Sequence, residues 1–185
     1  MAVKLGKVEK KAKSYDHILI IMRHAKAEPF GEYGDRDRPL SDKGLKQAKA
    51  VGKGLLGLGL VPNRIACSGA LRTQQTCAKM LKTFGDVPKV DYRQSLYDGG
   101  IQAVLDELVQ TKDKHRVLMV LGHEPTMSIA SQWLASHDSD PATLDQLNLG
   151  LSTASIAVFG SNKPFSQWQL HDADLIAVIT PNDFD

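Results

Sequence analysis

"HILIIMRHAKAE", residues 17 to 28, runs through an unbroken apolar stretch and then stops at an arginine and a histidine. Ile18 to Met22 shows no polar alternation, the pattern of a strand covered on both faces, as in the interior of a parallel sheet. Such a strand delivers whatever follows it to the carboxyl-terminal edge of the sheet, where open α/β sheets bind their ligands. The local pattern therefore puts Arg23 and His24 where a ligand would sit.

Outward from this strand the pattern alternates. Ser41 is a good helix N-cap, and Leu45, Ala48 and Leu55 then fall near one helical face across Ser41–Leu58. Arg64–Ser68 reads as a short strand. Thr73, Cys77, Met80, Leu81 and Phe84 keep helical spacing and predict a helix over residues 70–84. Val87–Asp91 reads as a strand and Ile101–Thr111 as a helix. "RVLMVL", Arg116 to Leu121, is a second fully apolar strand, turned by Gly122 and followed by a helix over residues 125–135 with Pro125 in its first turn. Three further strands are expected at Ala154–Phe159, Gln167–His171 and Leu175–Ile179. The order predicts an α/β fold: a mostly parallel sheet with helices on both faces, finished by antiparallel edge strands.

Composition narrows the class. At 185 residues, 42% apolar and 24% charged, the chain is large enough for one sizeable core. Cys67 and Cys77 are too few for a disulfide framework and lack the spacing of a zinc site, so both read as reduced, packed thiols. No apolar run is long enough to cross a bilayer, and the N-terminus lacks the order of a secretory signal; a cytoplasmic protein is expected, with no membrane partner. Residues 1 to 13 hold five lysines against Glu9 alone, so the net charge of +2 hides a slight acidic excess in the rest of the chain. That balance excludes a nucleic-acid binder by composition. Residues 1–15 read as a basic, flexible, solvated tail and 16–185 as a single domain.

Three strand ends carry the chemistry: "RHAKAE" after the first, "CSGALRTQQT" after the second, and "GHEPT" after the later apolar strand. They hold Arg23, His24, Arg72 and His123. Taken singly, Arg72 reads as a surface arginine and "GHEP" as a turn with a capping histidine. Core packing does not explain why each of these ends is interrupted by Arg or His. Two guanidinium forks and two imidazoles in one crevice suit an oxyanion, with helix N-termini near Ala70 and Pro125 adding backbone donors.

"RHAKAE", "DRDRPLSDKGLKQA", "SGALRTQQT" and "VLGHEPT", in this order and spacing, resemble the histidine phosphatase superfamily and, within it, the SixA-type protein phosphohistidine phosphatases. The resemblance runs from about Ile18 to Trp168. It implies a three-layer, phosphoglycerate mutase-like α/β sandwich and a covalent phosphohistidine mechanism that needs no metal or cofactor. It further implies that His24 is the nucleophile and that Arg23, Arg72 and a protonated His123 hold the phosphoryl oxygens. Arg38, in "DRPLS", falls where SixA-type proteins place a further arginine; its other reading is a loop arginine paired with Asp35 or Asp37.

Departures from the family pattern bear on the substrate. Ser68-Gly69 replaces the common Ser-Pro, and Glu124 replaces the usual Asn after the second histidine. A distant branch uses an acid at the position of Glu124 as proton donor, and the mutase-like branch carries one in the loop of Asp98; the alternatives are a helix-capping Glu124 and a turn residue at Asp98. The resemblance implies a phosphorylated protein as substrate, a histidine phosphotransfer domain or phosphocarrier, acted on by a monomer. A small-molecule phosphomonoesterase and a non-catalytic phosphate-binding module remain open beside it.

Overall fold

The computed structural model describes residues 2–185. Its centre is strand β1 (His17–Arg23), every residue of which is buried except the half-buried Arg23. The side chains alternate across the sheet. Ile18, Ile20 and Met22 enter one core and Leu19 and Ile21 the other, which is why no polar residue interrupts the run.

With β2 (Arg64–Ser68), β3 (Lys89–Arg93), β4 (Val117–Gly122), β5 (Ile156–Ser161) and β6 (Asp174–Ile179), β1 forms one six-stranded sheet in the order β3-β2-β4-β1-β5-β6. The first four run parallel, β5 is antiparallel to β1, and β6 is antiparallel to β5. The observed architecture is the expected α/β sandwich.

Three helices contribute to the core that receives Ile18, Ile20 and Met22: α1 (Leu5–Ala12), α2 (Asp42–Gly57) and α3 (Leu71–Phe84). On the other face lie α4 (Ser95–Asp98), α5 (Gly100–Gln110), α6 (Thr126–Leu134) and α7 (Pro141–Asn148). The expected cap of α2 is present, with the Gly44 N–H donating to Ser41 Oγ at 3.1 Å. Gly44 also lets this helix approach the chain just after β1, because a Cβ there would overlap the carbonyl oxygen of Lys26.

Three expectations need correction. The lysine-rich start is not a solvated tail along its whole length. Residues Leu5–Ala12 form α1, whose Val8 and Ala12 lie in the core with Leu5 packed against it, while Lys7, Lys10 and Lys11 are exposed. The strand expected at Gln167–His171 is instead a 3-10 turn, Phe165–Gln167, leading into a loop. Phe165 is buried there, and β5 pairs directly with β6 and leaves that segment no partner. Finally, α7 was not anticipated, although Asp140 caps it by accepting from the Thr143 N–H at 3.0 Å and Pro141 opens its first turn.

Candidate active site

Register brings the strand ends level. Arg23 of β1 pairs with Gly122 of β4, and Leu121 with Cys67 of β2, so His24, His123 and Ser68 leave three adjacent strands at one edge of the sheet. Arg72, in the first turn of α3, completes the cluster with its Nε–H directed at His24 Nε2, 3.4 Å away. The two imidazole rings lie 5.3 Å apart between centroids.

His24 is 8% exposed, and its Nδ1–H donates to the carbonyl oxygen of Ala25 at 2.7 Å. Burial lowers its pKa from 6.5 to about 4, the bond to Ala25 opposes the fall, and the charges of Arg72, Arg23 and Arg38 add to it. The ring is therefore neutral at pH 7, with its lone pair on Nε2.

His123 is lowered to about 3, by burial first and then by Arg72 and His24, with Asp35 opposing. Its Nε2 lies 2.7 Å from Ser68 Oγ. That hydroxyl also accepts the Ala70 N–H at 3.3 Å, and where it gives its own proton to the ring the hydrogen of His123 lies on Nδ1. Burial and the neighbouring cations thus oppose, in the absence of phosphate, the protonated His123 that the resemblance implies. Among the described residues, His123 Nδ1 and Arg23 Nε are buried polar side-chain atoms without a partner. Two polar atoms left unpaired at one strand edge, beside a second guanidinium, that of Arg72, fit an oxyanion that would accept from Arg23 Nε–H and from a hydrogen on His123 Nδ1. The same set is poorly suited to a metal cation, which the arginines would repel.

The remaining expected residues are placed differently. Arg38 donates from Nε to the Glu28 carbonyl at 2.8 Å and from Nη1 to Asp35 Oδ1 at 3.0 Å, which is the loop pairing, while its charge still acts on His24. Glu124 does not face the cluster with an idle carboxylate: Oε1 accepts the Ser128 N–H at 2.8 Å and Oε2 the Ser128 hydroxyl. Asp98 accepts from Gln94 Nε2 at 3.1 Å on the exposed side of α4. Its neighbour Tyr97 is the residue that reaches the cluster, its ring 5.4 Å from that of His123.

Asp35, Tyr97 and Ser68 are not among the site residues that the sequence indicates. Asp35, in the 3-10 turn Asp35–Asp37, accepts from Arg72 Nη1 on its backbone oxygen at 2.8 Å. Its carboxylate accepts from Arg72 Nη2 at 3.1 Å and from the Tyr97 hydroxyl at 2.7 Å. The Tyr97 bond, with those of Arg38 and Arg72, holds the carboxyl well below the usual carboxylate range despite burial.

Residues 19–98 match the model of the histidine phosphatase superfamily, branch 1. A solved structure of a candidate phosphohistidine phosphatase SixA from Nakamurella multipartitia superposes with a TM-score of 0.77 at 31% identity, over 89% of this chain and 96% of that one. This chain belongs to the histidine phosphatase superfamily. Within it, the chain is of the SixA type. A histidine phosphatase SixA in complex with tungstate shares the fold, with a TM-score of 0.71 at 20% identity over 91% of this chain and 99% of that one. An uncharacterised Mycobacterium tuberculosis protein is 34% identical over 138 residues, 74% of this chain and 85% of its own. The superfamily assignment makes the chain a phosphatase, and the crevice of Arg23, His24, Arg72 and His123 its candidate active site. Among the described residues, no helix is long and apolar enough to cross a membrane.

Proposed function

We propose that the protein hydrolyses phosphohistidine on another protein, through a phosphoryl group carried on His24. The observation that carries this reading is a neutral His24 with its proton fixed toward Ala25 and its Nε2 lone pair facing Arg72, beside the unpaired Arg23 Nε–H and His123 Nδ1.

In the first step His24 Nε2 attacks phosphorus in line; the Nε2–P bond forms and the substrate N–P bond breaks, the substrate ring, already protonated from solvent at its other nitrogen, leaving with the electron pair as neutral imidazole. Arg23 Nε–H, Arg72 and His123 Nδ1–H hold the equatorial oxygens. In the second step water attacks, the new P–O bond releases inorganic phosphate, and the electron pair returns to His24 Nε2. No step uses a metal ion or cofactor.

The carboxylates favour an N–P substrate. An alkoxide leaving group needs a proton, whereas a phosphoimidazole leaves as neutral imidazole once its ring is protonated. Glu124 is engaged by Ser128, Asp98 by Gln94, and Asp35 is held ionised by Tyr97, Arg38 and Arg72. The similarity to a candidate phosphohistidine phosphatase supports the same substrate class, with a histidine phosphotransfer domain or phosphocarrier as the partner.

The test is hydrolysis of a histidine-phosphorylated protein beside a panel of sugar phosphates and nucleotides, with chelator present, in wild type and His24→Ala. Selective release from phosphohistidine, lost in the variant, is expected. Preference for an ester would transfer the assignment to a small-molecule phosphomonoesterase. Phosphate binding without any turnover would leave a binding module.

A further inference from the structure

Asp35 combines two properties. Its side chain is 52% exposed, so no packing demand fixes it, yet it meets three donors that belong to the crevice wall: Arg38 Nη1, Arg72 Nη2 and the Tyr97 hydroxyl. Its backbone oxygen takes a fourth, Arg72 Nη1. Arg72 is thus gripped at both terminal nitrogens from the outer side, which turns its Nε–H edge toward His24 Nε2. The loop that holds Asp35 is itself closed at its base by the Ala27–Leu40 bridge and by the Glu28 N–H bonded to the Pro39 carbonyl at 2.8 Å.

The same contacts place a fixed negative charge on two guanidinium groups beside His24. We propose that Asp35 is the positioning residue of Arg72 and, at the same time, a built-in anion that competes with the phosphoryl group for Arg72. It aims the guanidinium before substrate arrives and weakens the hold on phosphate after the reaction. The inference rests on reading the crevice as a phosphoryl site.

Its two halves act in opposite directions on two readouts. Orientation supports kcat. Charge competition reduces affinity for any oxyanion, and a like charge removed from hydrogen-bond range of a phosphate ligand should tighten binding by about threefold to tenfold. A merely structural Asp35 would lower both quantities together.

The experiment measures inorganic phosphate binding by isothermal titration calorimetry, and kcat and KM on the phosphohistidine protein, in wild type, Asp35→Asn and Asp37→Asn. Asp37 sits in the same 3-10 turn, so its variant removes an equal charge without touching Arg72. Circular dichroism and thermal melting confirm that the variants are folded. Tighter phosphate binding in Asp35→Asn with a lower kcat, and phosphate affinity within about twofold of wild type in Asp37→Asn, is the expected result. Weaker or unchanged phosphate binding in Asp35→Asn, or equal tightening in Asp37→Asn, overturns the proposal. Because the calorimetry needs no turnover, it separates the two claims. Phosphate binding that tightens in a protein without phosphohistidine activity supports the role of Asp35 as competing anion and sinks the proposed function. No phosphate binding in any of the three proteins overturns the role of Asp35, and no binding together with no turnover overturns both.

Discussion

The Nδ1–H of His24 donates to the carbonyl oxygen of its neighbour Ala25 at 2.7 Å, and that bond determines which nitrogen of the ring can react. With Nδ1 occupied, the lone pair lies on Nε2, on the side of Arg72. The two residues that follow β1 make the bond, so tautomer and position are set together.

Both crevice histidines should stay neutral well below the ordinary imidazole range, since burial lowers His24 to about 4 and His123 to about 3. Above about pH 6.5 folded and unfolded chains are both neutral at these rings and no stability is lost. Between that value and the folded ones only the unfolded chain takes up the protons, so stability falls as pH falls across that window. Imidazole nitrogen NMR at pH 5.5 should show His24 neutral with its hydrogen on Nδ1, and added inorganic phosphate should raise both values. Titration of His24 near 6.5 in the absence of phosphate would contradict this.

Ser68 Oγ lies 2.7 Å from His123 Nε2, and a hydroxyl proton given to that nitrogen keeps the hydrogen of the ring on Nδ1. Ser68→Ala removes that bond and should lower kcat on phosphohistidine about tenfold, the size of one neutral hydrogen bond. Steady-state kinetics on the variant, with melting as a folding check, tests this; an unchanged kcat would show that the tautomer of His123 does not matter.

Arg72 meets three acceptors at once: Asp35 through Nη1 and Nη2, and His24 through Nε. A lysine ammonium cannot reproduce the fork, so Arg72→Lys should lose about a hundredfold in kcat/KM although it keeps the charge. A loss under about threefold would mean that charge alone suffices at this position.

Helix α1 should contribute to stability rather than to turnover. Val8 and Ala12 are buried, Arg116 Nη2 donates to the Ala12 carbonyl at 2.8 Å, and Lys11 pairs with Asp174 at 3.1 Å. Deleting residues 1–12 should cost about 2 to 3 kcal/mol in urea unfolding, mostly from the lost apolar burial, while kcat stays near wild type. An unchanged unfolding midpoint would restore the view of this segment as a solvated tail.

Much of this was legible in the sequence because the informative signals are local. The apolar run of β1, the Ser41 cap and the Arg or His at each strand end act within a few residues of one another, and strand register then brings Arg23, His24 and His123 level. The misses have physical causes. Helix α1 was hidden by its lysines, which outnumber the two core residues that dock it. Gln167–His171 has a strand-like composition but no strand edge to join. Asp35 and Tyr97 meet across 62 residues, and only the path of two loops brings them together. Asp98 drew attention as an acid next to the right place, one residue beyond the side chain that faces His123.

The most direct test of a covalent mechanism on His24 is to mix the protein with a phosphohistidine protein carrying labelled phosphate, quench in alkali within milliseconds to seconds, and map the label by mass spectrometry. A histidine phosphatase working through His24 Nε2 should give an acid-labile, alkali-stable phosphoryl group on that residue, appearing and decaying at rates compatible with turnover. Full turnover with no label on His24, or a His24→Ala protein that hydrolyses the substrate at the wild-type rate, would contradict it.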